Sequence, residues 1–453
     1  MTRALCLDRL GVDEPRLDRP RLDKLAVDHY QAALRTEFYA FMVKCFTDLN
    51  AGAPFLPSLH IEAMAAKLQR VSDGGARRLI VNVPPRHLKS LAASVALPAW
   101  LLGRDPSLAI VNVTYGQRLS DKFARDCRAV MSSDWYRALF ATRLNSPKPP
   151  FQELTTTRGG FRLATSVGGV LTGRGADVIL IDDPLKPTDA MSRSRRAAAN
   201  EWFDSTLYSR LNDKAKGAIV IVMQRLHEDD LAGYEREGWD VLRLPAIAEA
   251  DEVFAFDTIR GRKEFRRKAG DALHPERESL ETLERIRRTI GEWNFAGQYQ
   301  QAPAPAGGGM IKEAWLRRYR RHELPGPPGA AGGFDRIVQS WDTANTPSEL
   351  SDYSVCTTWG LKGSDFYLLN VFRKQLGYPE LKRAVAEQNE LFQPQAILIE
   401  DRASGTQLIQ ELIQARMSNV TRYKPDGDKI MRLHAQTAVI ENAFVDLSSS
   451  PSS

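Results

Sequence analysis

Five short apolar runs between residues 79 and 245 constrain the fold of this chain more than any other feature. They are Leu79–Val83, Leu108–Val113, Val178–Ile181, Ala218–Met223 and Val241–Leu244. Each run is followed by a polar loop and then by a helical pattern. Short buried strands that alternate with helices predict a mainly parallel sheet with crossover helices. The first half of the chain is therefore predicted to contain an α/β domain.

A second α/β pattern follows residue 334. Its predicted strands are Ile337–Trp341, Ser354–Trp359, Phe366–Val371 and Ala396–Ile399, with helices at 379–392 and 405–416. Three successive strands before the first helix indicate a mixed sheet. Pro/Gly-rich stretches at 302–309 and 326–333 predict a hinge between the two patterns. The predicted organisation is a helical or extended segment (1–54), a first α/β domain (55–245), a basic connector with the hinge (246–333) and a second α/β domain (334–453).

Composition excludes several classes of protein. The four cysteines are scattered, without a Cys-x-x-Cys pair, so they indicate neither a zinc cluster nor a disulfide framework, and a reducing compartment is expected. The N-terminal residues do not resemble a secretory signal. No uncharged apolar run approaches the ~18 residues of a membrane span, so no membrane partner is expected. The net charge of +6 over 453 residues favours a polyanionic partner only slightly.

The first predicted strand leads into a Lys-Ser pair that can bind a nucleoside triphosphate. In the segment PPRHLKS (84–90), Lys89 can reach the β- and γ-phosphate oxygens and the Ser90 hydroxyl can ligate Mg²⁺. The usual glycines are missing, and Leu88 stands where a glycine normally precedes the lysine. The alternative is an ordinary basic turn.

Two further strands end in polar residues. Val178–Ile181 is followed by Asp182 and Asp183, which predict a metal-binding acid and an acid that orients or deprotonates the attacking water. The alternative is a turn or helix cap at Asp183. Ala218–Met223 is followed by Gln224 and Arg225, where a sensor of the γ-phosphate is expected; the alternative is a strand-to-helix turn capped by Asp229.

Six motifs in order resemble the large subunit of tailed-phage terminases, the motor that packages viral DNA. They are PPRHLKS, LTGRGADVILIDDP, IVMQRLHEDDLAG, SWDTAN, SDYSVCTTWG and AILIEDRASGTQLIQEL, and the resemblance covers roughly residues 55–445. It implies a P-loop ATPase domain with a mainly parallel sheet, followed by an RNase H-like nuclease domain with a mixed α/β fold.

The resemblance also assigns roles in the ATPase domain. It implies that ATP and Mg²⁺ are bound by the modified phosphate loop, that Asp182 binds the metal and that Asp183 activates water. Gln224 to Glu228 match a segment that couples hydrolysis to DNA movement, and Phe55–His60 lie where the family contacts adenine. The implied nucleotide-binding residues are Arg86, His87, Lys89, Ser90 and Gln224, with Ser90 also a ligand of Mg²⁺.

In the nuclease domain the resemblance implies that Asp342 and Glu400, assisted by Asp401, bind divalent metals, Mg²⁺ or Mn²⁺. Two such ions activate water and stabilise the leaving oxygen. The alternatives are a turn after Asp342, at 343–347, and a surface ion pair at 400–402. The family has a further acidic motif beyond the matched stretch, and Asp446 comes too early to be that ligand. The nuclease is therefore expected to be impaired by a C-terminal truncation.

Two basic runs, Gly261–Lys268 and Arg317–Arg321, are candidates for contact with DNA phosphates, with Trp315 and Tyr319 available for stacking or packing. The alternative for each run is a solvated helix face. The expected partners are double-stranded DNA, a portal protein, a small terminase subunit and further copies of the chain in a ring. The expected location is the host cytoplasm and, transiently, the procapsid.

Two other functions remain open from the sequence. One is a helicase-like or repair ATPase whose C-terminal domain binds nucleic acid without catalysis. The other is an inactive prophage remnant, which the expected loss of the last acidic motif motivates.

Overall fold

The computed structural model describes residues 19–145, 152–169, 171, 173–234, 237–258, 261–303, 311–343, 353–401, 404–425, 429–442 and 444–448. Three predictions fall largely on other residues. The turn after Asp342 and most of the Pro/Gly-rich stretch at 302–309 lie outside the described residues, as does nearly all of the C-terminal SSSPSS. The structural statements that follow concern the described residues.

The chain divides into two compact units. The first comprises Met1–Lys186, Ser194–Glu281 and Gln298–Ala302, and the second comprises Pro187–Arg193, Thr282–Gly297 and Pro303–Ser453. The segment 246–333, predicted as a connector, is divided between them. Its basic run at 261–268 belongs to the first unit, and the helical residues 282–297 belong to the second.

The first unit contains a seven-stranded sheet, a separate hairpin and helices on the sheet's faces. The helices are α1 (Arg19–Thr36), α2 (Phe38–Leu49), α3 (Leu59–Ser72), α4 (Leu97–Arg104), α5 (Gln117–Ser132), α6 (Asp134–Leu139), α7 (Arg193–Trp202, whose first residue belongs to the second unit) and α8 (Leu231–Tyr234), with π-helical turns at Leu91–Ala96 and Phe203–Leu207. The strands are β1 (Arg78–Asn82), β2 (Ala109–Thr114), β3 (Glu153–Thr155), β4 (Phe161–Ser166), β5 (Val178–Asp182), β6 (Ala218–Met223), β7 (Asp240–Arg243), β8 (Glu252–Thr258) and β9 (Gly261–Arg267).

The strand order of the sheet is β3-β4-β2-β5-β6-β1-β7, and all neighbours are parallel except β3 and β4. Both faces are covered: in β1, Leu79 and Val81 contribute to one apolar cluster and Ile80 to the other. Burial on both faces explains why these strands read as continuous apolar runs. The order places β6 between β5 and β1, so the carboxyl ends of these three strands adjoin.

The second unit contains a mixed seven-stranded sheet. Its helices are α9 (Leu280–Ile290, which begins in the first unit), α10 (Glu292–Gln298), α11 (Tyr378–Phe392), α12 (Ser404–Gln414) and α13 (Lys429–Glu441). Its strands are β10 (Arg317–Tyr319), β11 (Arg336–Asp342), β12 (Ser354–Lys362), β13 (Asp365–Lys374), β14 (Ala396–Glu400), β15 (Val420–Tyr423) and β16 (Val445–Ser448).

The order in this sheet is β10-β16-β13-β12-β11-β14-β15. Strands β11, β12 and β13 form an antiparallel meander, whereas β14 and β15 run parallel to β11. Trp341, Ile397 and Ile399 pack against Leu381 of α11 and Leu408 of α12 in one core. The predicted fold class, a mainly parallel α/β sheet followed by a mixed α/β sheet, is confirmed. Among the described helices, none is long and apolar enough to cross a membrane.

Candidate functional sites

The loop after β1 adopts a strained backbone before the next helix. Arg86 and Leu88 have φ values of 64° and 63°. These left-handed conformations cost a non-glycine residue about 1–3 kcal/mol each, and such strain clusters at ligand-binding sites. Alternating left-handed residues turn successive backbone N–H groups toward one side of a loop, which suits an anion. Arg86 and Leu88 thus adopt the left-handed backbone conformation that glycines usually provide in such a loop.

Asp182, at the end of β5, lies beside the first helical turn after this loop. Its two carboxylate oxygens accept hydrogen bonds from Ser90 Oγ at 3.1 Å and Ser94 Oγ at 2.8 Å. The residue is 1% exposed. Burial, and then the nearby Asp183, raise the pKa of Asp182 to about 7. A buried carboxylate facing a serine hydroxyl fits Mg²⁺, because both oxygens are ligands that this ion accepts.

Asp183 holds the lysine of the loop. Its carboxylate lies 2.9 Å from Lys89 Nζ and also accepts a hydrogen bond from the backbone N–H of Gln224 at 3.3 Å. Asp183 itself has a φ of 43°. The parallel neighbours β5, β6 and β1 therefore bring together Lys89, Asp183 and the backbone N–H of Gln224.

The remaining predicted nucleotide-binding residues differ in exposure. Arg86 is exposed, whereas His87 is 2% exposed and its ring faces His60 and His274. The Gln224 side chain is buried, and its Oε1 atom has no hydrogen-bond partner in the described part of the chain. Phe55, in the segment compared with an adenine-contacting region, packs its ring against Tyr39 and Phe46.

The segment after β6 is fixed by a buried ion pair. Arg225 Nε donates to Asp230 at 2.8 Å, and both residues are buried. Asp230 also accepts from the backbone N–H groups of Leu226 at 2.8 Å and Gly233 at 3.0 Å, so it caps α8. The cap is thus Asp230, whereas the sequence-based alternative named Asp229. This network rigidly positions the residues that follow Gln224.

A polar cluster behind Asp182 was not predicted. Arg162 of β4 is completely buried and donates to the Ser94 carbonyl at 3.1 Å and to the Asn112 side chain. Asn112 in turn donates to Ser94 Oγ at 3.3 Å. Burial lowers the pKa of Arg162. The sequence feature that could have revealed this cluster is a single polar residue inside an apolar strand, Asn112 in AIVNVT.

In the second unit, Asp342 and Glu400 are the last residues of β11 and β14, which are neighbouring parallel strands. The register pairs Trp341 with Ile399, so the two acids follow side by side. Lys429 Nζ lies 2.6 Å from Asp342, and the Arg432 guanidinium lies 3.4 Å from Glu400. Both cations come from α13. Two carboxylates at adjoining strand ends, balanced by cations, have the donor set for divalent metals.

The other acids near the C-terminus have separate surroundings. Asp401 accepts a hydrogen bond from Thr406 Oγ1 at 2.7 Å and lies 3.6 Å from Arg422, beside Glu400. Asp446 is on β16, which β13 and β12 separate from β11. It is buried and lies 2.8 Å from Arg317, so it does not join Asp342 and Glu400.

The first basic run and residues Arg317–Tyr319 of the second form strands rather than the helix faces considered as an alternative, and Arg321 begins a short 3-10 helix. Gly261–Arg267 is β9, in an antiparallel hairpin with β8, and Arg267 is buried in an ion pair with Glu252 at 2.5 Å. In β10, Arg317 also lies 2.8 Å from Asp365. The Tyr319 hydroxyl donates to the Leu368 carbonyl at 2.7 Å and its ring is buried, so it packs inside the unit. The contact of both runs with DNA stays a prediction.

Comparison with known proteins gives a family match for the second α/β domain. Residues 339–452 match the family model of the terminase RNaseH-like domain. No match is found among curated protein sequences. The chain is similar to the large terminase of a thermophilic bacteriophage in complex with ATP-gamma-S, with 12% identity, coverage of 90% of this chain and 87% of that chain, and a TM-score of 0.47. It is also similar to the HK97 bacteriophage large terminase, with 11% identity, coverage of 88% and 86%, and a TM-score of 0.37. The family match agrees with the predicted resemblance to terminases over residues 339–452.

Proposed function

Because residues 339–452 match the terminase RNaseH-like domain family, we propose that this chain is the large subunit of a DNA-packaging terminase. In this proposal, ATP hydrolysis in the first unit drives double-stranded DNA into a procapsid, and the second unit cuts the concatemer. The observation that carries the motor function is the meeting of Lys89 and Ser90 with Asp183 and Asp182 at the ends of β1 and β5.

The phosphate loop binds the triphosphate of ATP in this proposal. Its phosphate oxygens would accept hydrogen bonds from backbone N–H groups around Arg86 and Leu88 and at the start of the following helix. Lys89 now neutralises Asp183, and it would exchange that carboxylate for the β- and γ-phosphates when ATP binds. Mg²⁺, held by Ser90 and Asp182, would offset the phosphate charge.

Release of Lys89 would leave the Asp183 carboxylate able to orient a water molecule. Asp183 remains tied to β6 through the Gln224 N–H, so a change at the γ-phosphate can pass to the segment after β6. The buried Gln224 amide oxygen is a second group that can respond to the nucleotide or the water. Arg225 and Asp230 would transmit the displacement as a rigid unit.

The nuclease in this proposal uses Asp342 and Glu400, with Asp401 assisting. Mg²⁺ or Mn²⁺ at these carboxylates would supply an activated water and stabilise the leaving oxygen. Lys429 and Arg432 now balance the two acids and would have to give way when metal binds. The proposed partners are DNA, a portal protein, a small terminase subunit and further copies of this chain, in the host cytoplasm and on the procapsid.

The motor function is tested by Lys89→Ala, with the exposed Lys216→Ala of the same unit as the matched control. We expect Lys89→Ala to lower DNA-stimulated ATP hydrolysis at least about 100-fold, since loss of one preorganised charge contact costs about 2.7–4 kcal/mol in the transition state. Lys216→Ala should retain wild-type activity. The proposal fails if the wild-type protein hydrolyses no ATP with or without DNA, or if both variants behave alike. Unwinding of a forked duplex by the protein alone would favour a helicase instead.

A further inference from the structure

Three buried histidines from separate segments of the first unit meet beside the phosphate loop. His60 is near the start of α3, His87 lies in the loop itself and His274 follows β9; they are 0%, 2% and 3% exposed. One ring nitrogen of each lies within 4.8 Å of those of the other two. Ring centroids are 5.1–6.2 Å apart. The nucleotide site proposed above uses none of their ring nitrogens.

The hydrogen bonds of the cluster leave its inner nitrogens available. His87 Nδ1 lies 2.9 Å from the Pro85 carbonyl and donates to it, which leaves a lone pair on Nε2. His60 Nδ1 bonds to Ser58 Oγ at 2.6 Å. His60 Nε2 and both nitrogens of His274 have no hydrogen-bond partner among the described residues. Buried polar atoms without partners cost about 1–3 kcal/mol each, so these nitrogens would gain from a ligand that accepts their lone pairs.

Burial favours the neutral form of the three imidazoles. Burial lowers the pKa of His87 to about 4, and it also lowers the pKa values of His60 and His274. Neutral imidazole is the ligating form of histidine. A His87 ring that donates from Nδ1 to a backbone carbonyl and presents Nε2 is the usual arrangement of a metal-bound histidine.

The surrounding charges are mixed. Arg277, Arg267 and Lys89 act on the cluster as positive charges, and Arg267 is already neutralised by Glu252. Glu278 lies 3.9 Å from His87 Nε2, and its Oε2 atom has no hydrogen-bond partner within the described chain. This carboxylate supplies negative charge and an oxygen ligand at the rim of the cluster.

We propose that His60, His87 and His274 bind one Zn²⁺ ion, with Glu278 beside it. Three imidazoles and a carboxylate suit zinc, whereas Mg²⁺ and Ca²⁺ prefer sites made of oxygen ligands. Ligands of tetrahedral zinc lie about 3.3 Å apart, so binding would draw the nitrogens together by at most about 1.5 Å. Backbone bonds already fix the segment of His274, since its carbonyl accepts from the N–H groups of Arg277 and Glu278.

The ion would tie the phosphate loop to α3 and to the segment after β9. His87 lies between the two left-handed residues Arg86 and Leu88, so zinc would hold the strained backbone of the loop in place. This site is distinct from the Mg²⁺ position proposed at Ser90 and Asp182. It rests on the three imidazoles and Glu278 and does not depend on the proposed function.

The direct test is metal analysis of the full chain. Protein treated with a chelator, incubated with Zn²⁺ and desalted should retain one equivalent, and Co²⁺ in its place should give the intense visible absorption of tetrahedral coordination. Zinc should also raise the Tm of the chelator-treated protein. Wild-type protein that retains no zinc and shows no such Co²⁺ spectrum would overturn the proposal.

Variants identify the ligands. His60→Ala and His274→Ala should weaken zinc binding more than about 100-fold, and Ser58→Ala, which removes an outer hydrogen bond, about 10-fold. Glu278→Gln should weaken it to a similar extent as Ser58→Ala. The exposed His322→Ala is the matched control and should bind zinc as the wild type does. Equal zinc affinity in His274→Ala and His322→Ala would refute the site. If a histidine variant does not fold, Ser58→Ala replaces it in the test, and zinc affinity equal to that of the wild type would then refute the site. Zinc retained by Lys89→Ala would separate this result from any failure of the motor function.

Discussion

At the scale of single residues, Asp182 and Asp183 are adjacent in the chain but have opposite surroundings. Asp182 is enclosed and accepts hydrogen bonds from two serine hydroxyls, whereas Asp183 is more exposed and meets the ammonium of Lys89. Two acids with different environments can take different roles. The buried acid, bonded to neutral hydroxyl groups, suits a metal, and the more exposed acid suits a water molecule.

Asp182→Asn should reveal the cost of this enclosed carboxylate in metal-free protein. Folding raises the pKa of Asp182 from 3.8 to about 7, so the folded state keeps a proton that the unfolded chain releases between those values. The contribution of Asp182 to the free energy of unfolding therefore falls as pH rises from about 4 to 7. The Tm of Asp182→Asn minus that of wild type, measured in a chelator, should increase over this range and level off above it.

Asp213→Asn is the control with the opposite sign. Backbone N–H groups of Ala215 and Lys216 lower the pKa of Asp213, so its contribution is lost as pH falls. The Tm difference for Asp213→Asn should become more negative as pH rises from acid. A difference for Asp182→Asn that does not change with pH would contradict the enclosed-acid interpretation.

At the scale of elements, the phosphate loop and the β8–β9 hairpin show what sequence patterns miss. The loop was predicted from Lys89 and Ser90, but its left-handed residues could not be, because neither is a glycine. In β9, Phe265 and Arg267 are buried and alternate with the exposed Glu264 and Arg266. This period of two marks a strand. The number of charges in GRKEFRR obscured it, so the run was weighed as a helix face.

Arg86→Gly and Arg86→Ala together separate backbone strain from side-chain function in the loop. A left-handed conformation costs an L-residue about 1–2 kcal/mol, and glycine avoids this cost but loses about 0.5–1 kcal/mol through its greater freedom when unfolded. Arg86→Gly should therefore raise the free energy of unfolding by up to about 1 kcal/mol, and Arg86→Ala should not. Urea unfolding of both variants measures this difference.

The same pair reports on the phosphate contact. Both substitutions remove the guanidinium, so both should slow ATP hydrolysis to a similar extent if Arg86 contacts the triphosphate. Equal stability of the two variants would argue against strain at residue 86. Unchanged hydrolysis in both would exclude the side chain from the nucleotide site while leaving the role of Lys89 intact.

At the scale of the whole molecule, the sequence predicted both sheets and the strand ends that carry the acids. In the first sheet this succeeded because its parallel strands are buried on both faces and their carboxyl ends lie at one edge. In the mixed second sheet, the acids could be located because Asp342 and Glu400 end two neighbouring parallel strands. Contacts between distant segments could not be predicted. The pairing of Lys429 with Asp342 joins residues 87 positions apart, and Arg317 meets Asp446 across 129 positions. Neither β16 nor α13 was predicted, since both have weak patterns of their own.

Each proposed site is built within one unit, so the two activities should be separable by single substitutions. Asp342→Asn and Glu400→Gln keep the size of the side chains but remove the charges that would hold metal. We expect either to reduce Mg²⁺- or Mn²⁺-dependent plasmid cleavage at least about 100-fold, comparable to the loss of one charge-stabilising group, with ATP hydrolysis unchanged. Lys89→Ala should show the converse.

Asp365→Asn is the matched control, because Asp365 is an acid of the same sheet that pairs with Arg317, and it should cleave as the wild type does. Cleavage that is at background in the wild type and equal in all variants would remove the nuclease from the proposal and leave the motor. Loss of ATP hydrolysis in Asp342→Asn would instead show that the two activities depend on each other.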